Sequence, residues 1–157
     1  MVSHPARIAD AEVKPAQLQL AAACGFRLEP DAIRLSPHQF QECVTGKAYD
    51  LRVTAVGERL FPVAIHIADP DQLDWCTDYD TLSYQHVELP VGVAAGICRY
   101  LKAAGLAFGA FDFVMDRSGA LWWMECNPNG EWGWLTEAID VPIADAGADV
   151  LPGLSPL

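Results

Sequence analysis

The order of apolar and polar positions along the chain predicts both strands and helices. Three strand-like runs lie between Phe40 and Ile67, separated by turn residues. Two more, 107–115 and 120–126, are rich in aromatic and β-branched residues. Two helices are predicted at 15–24 and 91–104, each with proline at its start and glycine after its end. These elements predict an α+β fold, an antiparallel sheet with flanking helices.

The remaining segments have weaker patterns. We expect 26–35 to be irregular or partly extended, and 68–89 to form a polar loop that lines or covers a site. One or two short helices are predicted within 134–149, followed by a proline-rich tail.

The last two strand-like runs predict a hairpin that brings acidic and amide side chains together. Asp116-Arg117-Ser118-Gly119 between them has the composition of a turn. With the turn centred on residues 117 and 118, Asp112 lies opposite Trp123, and Trp123, Glu125 and Asn127 share one face. Asp112 and Glu125 are then diagonal neighbours, close enough to share one ion. A slip of one residue would place the two acids on opposite faces.

Two carboxylates and an amide oxygen suit Mg²⁺, which prefers oxygen ligands and is usually held by one or two protein carboxylates plus substrate phosphates. We therefore predict that Asp112, Glu125 and Asn127 are the metal ligands. The alternative is that Asp112 is a satisfied buried polar group and that residues 127–130 form an ordinary turn.

These residues resemble the C-terminal half of an ATP-grasp ligase, in which an Asp and a Glu-x-Asn on neighbouring strands hold magnesium. Upstream, residues 40–44 (FQECV) and 49–53 (YDLRV) fit the same family. The resemblance implies that Glu42 and Val44 contact the adenine and ribose of ATP, and that Arg52 reaches the phosphates. Other interpretations remain open: Glu42 as a solvated rim residue, and Arg52 as half of a surface ion pair with Asp50 or Glu58.

Within that superfamily, the run 127–134 (NPNGEWGW) is similar to the peptide-maturing branch, the graspetide or microviridin-type macrocyclases, many of which have Gln where this chain has Glu131. The resemblance implies a ligase with ATP and Mg²⁺ as cofactors and a ribosomally made precursor peptide as partner. A substrate carboxylate would be activated as an acyl phosphate and passed to a hydroxyl or amine. An amino-acid or glutathione-type ligase of the same superfamily is a weaker alternative.

Such ligases normally carry an upper lobe with two phosphate-binding lysines ahead of the Gln-Glu strand. Neither Lys14 nor Lys47 has the expected position for those lysines. We therefore expect a connecting segment at 1–37, the C-terminal ATP-grasp subdomain at 38–150 and a tail at 151–157. A shortened chain of this kind is expected to show weak or no turnover alone, to self-associate or pair with a full-length ligase, or to be a non-catalytic peptide-binding scaffold.

Composition argues against nucleic-acid binding, a disulfide scaffold and a membrane helix. A formal net charge of −11 on 157 residues leaves no basic stripe for nucleic acid. The five cysteines show neither CxxC spacing nor the density of a disulfide scaffold, which predicts reduced thiols. The chain shows neither a signal peptide nor an apolar run long enough for a membrane helix, so a cytoplasmic protein is expected.

The tryptophans can be interpreted in two ways. Trp122 and Trp123 are adjacent on a strand, so one is expected in the core and the other toward a cleft or helix. Trp132 and Trp134 could form an aromatic wall for a peptide or could cap the core beneath the last helices. The sequence does not decide between these two roles.

Overall fold

The structure is a computed structural model that describes residues 13–28, 44–67 and 82–150, and the backbone of 33–35 and 38–40. Its strands are β1 (Ile33–Leu35), β2 (His38–Phe40), β3 (Lys47–Val56), β4 (Arg59–His66), β5 (Ser83–His86), β6 (Phe108–Asp116) and β7 (Leu121–Asn127). Its helices are α1 (Lys14–Ala23), α2 (Val91–Ala104), α3 (Gly133–Ile139) and α4 (Ile143–Val150). Strands β1 and β2 form a separate antiparallel pair.

The other five strands form one antiparallel sheet in the order β5-β4-β3-β6-β7. Central strand β3 is buried on both faces over most of its length. Its side chains alternate, so Leu51, Val53 and Ala55 enter one core, while Val56 enters another. The predicted α+β fold with an antiparallel sheet is confirmed.

Helices cover both faces of this sheet. Apolar residues of α1 and α2, among them Leu18, Ile97 and Tyr100, pack with Phe111 and Trp123 in the first core. On the opposite face, α3 and α4 pack against the sheet to form the second core. Its fully buried members come from β4, from the two helices and from the link between them: Val63, Leu135, Val141, Ile143 and Ala146. No helix in the described ranges is long and apolar enough to cross a membrane.

The helix ends follow the sequence closely. Helix α1 carries Pro15 in its first turn and is followed by Gly25, whose φ is 84°. Helix α2 ends in the same way at Gly105, which has φ 67° and ψ 32°. A left-handed residue after the helix strongly favours glycine, since it has no Cβ.

Segment 68–89 was predicted to be loop throughout, and this is wrong for Ser83–His86, which pairs with β4 as an edge strand.

The turn between β6 and β7 is held by one carboxylate. Asp116 accepts hydrogen bonds from the backbone N–H and hydroxyl of Ser118, at 2.8 and 2.6 Å, and from the Ala120 N–H at 2.9 Å. It also accepts one from Trp122 Nε1 at 2.8 Å. These bonds, led by those from the Ser118 and Trp122 side chains, hold the pKa of Asp116 well below its ordinary value. Asp116 thus fixes the starting point of the hairpin.

Candidate metal and nucleotide site

The two acids of the hairpin lie directly opposite each other. Asp112 pairs with Glu125, whereas closer to the turn Phe113 pairs with Trp123, so Met124 is an extra residue in β7. The predicted pairing of Asp112 with Trp123 is therefore wrong. Directly opposed residues of an antiparallel pair project from the same face, with their Cα atoms about 4.5–5.5 Å apart. The two residues are therefore closer at the backbone than in the predicted diagonal arrangement.

The bulge at Met124 decides which face carries Glu125. Trp123 and Cys126 both lie in the first core, although a regular strand would point residues three apart to opposite faces. The extra residue resolves that conflict and turns Glu125 to the face of Asp112. Trp123, predicted to share the face of Glu125, is instead only 2% exposed within the core.

Asp112 is held by the guanidinium of Arg52, its partner on β3. Arg52 donates from Nε to Oδ1 at 2.6 Å and from Nη2 to Oδ2 at 3.2 Å, which is a two-point ion pair. Burial raises the pKa of Asp112, and the charge and hydrogen bonds of Arg52 and the charge of Lys14 oppose this shift. Arg52 thus forms its ion pair with Asp112 inside the site, and Asp50, one of the two acids that the sequence offered, pairs with Lys47.

Arg52 has further anchors on the loop that follows β7. Its Nη1 donates to the backbone carbonyl of Glu131 at 3.3 Å, and its guanidinium lies 6.0 Å from the centre of the Trp134 ring. Its side chain is only 10% exposed. The NPNG loop is therefore tied to the same arginine that orients Asp112.

Glu125 pairs with a different cation, Lys14 in the first turn of α1. Strand β7 is the edge of the sheet, so a side chain from α1 can reach past it to the face of Glu125. Burial lowers the pKa of Lys14, and the negative charge of Asp112 opposes this shift. The pair opens into a cavity of about 270 Å³ lined by Lys14, Gln17, Glu125, Cys126, Asn127 and Pro128.

Gln17 fixes the backbone between Glu125 and Asn127. Its Nε2 donates to the Cys126 carbonyl at 2.8 Å, and its Oε1 accepts from the Cys126 N–H at 3.2 Å. The amide thus satisfies both outward groups of an edge-strand residue, as a neighbouring strand would. Sequence reasoning assigned no role at the site to Gln17 or Lys14. Their i,i+3 spacing, which places both on one side of α1, was the available signal.

Asn127 lies two residues beyond Glu125 and accepts a hydrogen bond on Oδ1 from the Asn129 N–H at 2.9 Å. Gly130 closes the loop by lying directly over Ala110, so that a Cβ at position 130 would overlap the Cβ of Ala110. The loop is therefore held against β6 next to the two acids.

The oxygen atoms of these side chains would fit a magnesium ion that shares its coordination with a substrate. Asp112 and Glu125 offer two carboxylates on one face, and Asn127 adds an amide oxygen beside them. Among the described residues, His, Cys, Asp and Glu side chains form no cluster of three that could hold a metal alone. Mg²⁺ bound by one or two carboxylates plus phosphates requires no such cluster.

The other predicted residues lie at varying distances from this centre. Glu42 is outside the described residues, and Val44 is half-buried just before the turn into β3. Trp132 and Trp134 are half-buried and pack against the second core, and the Trp134 ring lies 5.4 Å from that of Tyr84. Trp122 lies outside the core and stacks with Arg27, whose guanidinium is 5.0 Å from the ring centre.

No protein-family model matches this sequence, and a search of curated proteins gives no match. Solved structures do match. The macrocyclase MdnB from Microcystis aeruginosa MRC is 31% identical, with a TM-score of 0.79, over 96% of this chain and 59% of that one. MdnC from the same organism, bound with precursor peptide MdnA, is 24% identical, with a TM-score of 0.80, over 96% and 63%.

A third match is a RiPP-associated ATP-grasp ligase from Chryseobacterium gregarium, in complex with ADP and a leader and core peptide. It is 19% identical, with a TM-score of 0.81, over 99% of this chain and 63% of that one. The fold of this chain is thus that of ATP-grasp ligases, and the predicted resemblance is confirmed. Its structural neighbours are ligases and macrocyclases of ribosomal peptide maturation, and the chain spans about 60% of their length.

Proposed function

We propose that this chain is the metal- and nucleotide-binding part of an ATP-grasp ligase that matures ribosomally made peptides. The observation that carries the proposal is the Asp112–Glu125 pair, two carboxylates opposed on one face of β6 and β7 with Asn127 beside them. The likeness to macrocyclases, one of them bound to a precursor peptide, supports a peptide as the substrate.

In the proposed reaction, an Asp or Glu side chain of the precursor attacks the γ-phosphorus of ATP. The bond from that phosphorus to the β,γ-bridging oxygen breaks, and ADP leaves. A hydroxyl or amine of the same peptide then attacks the acyl phosphate. Phosphate leaves, the proton passes to solvent or base, and an ester or amide crosslink remains. When bound, Mg²⁺ would neutralise charge on the phosphates.

The protein residues would position the reactants. Asp112 and Glu125, with the Asn127 amide oxygen, would hold the metal, and Arg52 keeps the Asp112 carboxylate in a fixed orientation. Arg52 would also face the transferring phosphoryl group, because its 3.3 Å contact to the Glu131 carbonyl is the one that an anion would most easily replace. Glu42 and Val44 are proposed for the adenine and ribose side.

A thermal-shift titration with Mg-ATP tests the binding half of the proposal. Ligand that binds the folded state raises the unfolding temperature, and we expect Asp112→Asn plus Glu125→Gln to abolish the rise. Glu131→Gln changes an exposed acid nearby and should leave the rise intact. No shift in the unsubstituted protein would refute nucleotide binding. ATP consumption with a cognate precursor, and the mass loss of one water per crosslink, tests the chemistry.

A second candidate function is a non-catalytic scaffold that binds the peptide or pairs with a full-length ligase. It is favoured by one observation: each carboxylate is already paired with a protein cation, Asp112 with Arg52 and Glu125 with Lys14. For a scaffold we expect peptide binding without any Mg-ATP shift, and binding that is unchanged by the Asp112→Asn and Glu125→Gln substitutions.

A further inference from the structure

The two carboxylates of the site are neutralised by cations of very different exposure. Like charges opposed on neighbouring strands repel, so each acid requires a counter-charge. Arg52 provides one through two hydrogen bonds to Asp112, and it is only 10% exposed. Lys14 provides the other to Glu125, and its side chain is 47% exposed.

Arg52 is unsuited to leaving its partner. Its guanidinium also donates to the Glu131 carbonyl and lies near the Trp134 ring, so moving it would break several contacts. Departure would leave a charge uncompensated in a buried setting, which is strongly unfavourable.

Lys14 has the opposite properties. It ends in a compact, strongly hydrated ammonium on a flexible stem, and Glu125 is itself 37% exposed. An ion pair this exposed stabilises the fold little, so breaking it costs little. The cavity beside the pair gives the ammonium room to move and gives an incoming ion access to Glu125 and Asn127.

We propose that Lys14 is a resident counter-cation of the metal site, which Mg²⁺ displaces from Glu125 when it binds. Arg52 stays on Asp112, and the metal enters from the cavity on the α1 side. The inference rests on the proposed function, because it assumes that these acids bind a metal. It adds that the protein carries its own competitor, which lowers the affinity for free metal.

Calorimetric titration with Mg²⁺ in the absence of nucleotide tests this directly, and Mn²⁺ titration followed by electron paramagnetic resonance gives a second readout. Mg²⁺ must break the exposed Lys14–Glu125 pair, which is worth up to about 1 kcal/mol, so Lys14→Met should bind Mg²⁺ up to about fivefold more tightly. Lys14→Arg keeps the charge and should bind no more tightly than the unsubstituted protein. Lys102→Met removes an exposed lysine of α2 and controls for net charge.

A residue that merely supports the fold would give a different result, since its loss would leave metal affinity equal or lower. Equal or weaker Mg²⁺ binding by Lys14→Met, while the unsubstituted protein binds Mg²⁺, would therefore overturn the counter-cation role and leave the proposed function standing. If neither the unsubstituted protein nor any variant binds Mg²⁺ without nucleotide, this inference fails, and the Mg-ATP thermal shift decides the proposed function separately. Lys14→Gln repeats the charge removal with a polar side chain, should Lys14→Met prove poorly folded.

Discussion

Asp112 and Glu125 face each other across β6 and β7 because Met124 is bulged out of the ladder between them and the turn. Their surroundings differ nonetheless. Asp112 is bound at two points by a buried arginine, whereas Glu125 meets a half-exposed lysine at the sheet edge. Because of this difference, we expect the two acids to contribute unequally to the free energy of unfolding.

We expect Asp112→Asn to lower the free energy of unfolding by about 3 kcal/mol, since it leaves the buried Arg52 charge without its partner. Glu125→Gln should cost less than about 1 kcal/mol, because its pair is exposed to solvent. Urea denaturation in metal-free buffer measures both. Equal losses for the two variants would contradict the asymmetry.

Gly130 is predicted to tolerate no side chain. Gly130→Ala places a Cβ against that of Ala110, so the loop must move away from β6. We expect a loss of about 1–3 kcal/mol, the usual range for overpacking, together with weaker Mg-ATP binding. Gly133→Ala is the matched control, because nothing lies within 4 Å of its added Cβ. A harmless Gly130→Ala would show that the loop is not seated as described.

Gln17→Glu should destabilise the protein by about 2 kcal/mol, because a carboxylate cannot donate to the Cys126 carbonyl and would be buried beside it. Gln19→Glu makes the same change on the exposed side of α1 and should be nearly neutral. Chemical denaturation gives the stabilities, and amide hydrogen exchange at Cys126 should accelerate only in the Gln17 variant. Equal stabilities and equal exchange rates for both variants would refute the role of the Gln17 amide in holding the Cys126 backbone.

Thr54→Val is expected to stabilise the fold. Within the described part of the chain, the buried Thr54 hydroxyl has no hydrogen-bond partner, so an isosteric apolar side chain removes a desolvation cost of about 1 kcal/mol. Thr136→Val removes a hydroxyl that donates to the Val141 carbonyl at 3.0 Å, and it should destabilise by a similar amount. Thermal unfolding of both proteins checks the opposite signs.

Asp116 should make stability depend on acid pH. Its pKa is lowered in the folded state by the hydrogen bonds from Ser118, Trp122 and Ala120. Its contribution is therefore fully present above the unfolded-state pKa of about 3.9 and is lost as pH falls toward the folded value. Urea midpoints between pH 6 and the acid limit should fall less steeply in Asp116→Asn than in the unsubstituted protein. An Asp116→Asn curve as steep as that of the unsubstituted protein would contradict this role.

The sequence by itself determined the main helices and strands and the chemistry of their ends, although it did not show the edge strand β5. Proline and glycine bounded α1 and α2, alternation indicated β3, aromatic and β-branched residues indicated β6, and Asp116 marked the turn, because these signals depend on local backbone preferences. The residue types of Asp112, Glu125 and Asn127 also limited the ions that they could suit, and their role as metal ligands stays a prediction.

Only the tertiary structure decided the register of the β6–β7 hairpin and the side chains that contact its two acids. Met124 and Cys126 are both apolar, so the letters could not show which would enter the core. Burying Trp123 and Cys126 together forced the bulge that brings Glu125 opposite Asp112. Lys14 and Gln17 reach the site only because α1 packs along the edge of β7, more than 100 residues later in the chain. Such contacts arise from the packing of distant segments, which no local pattern encodes.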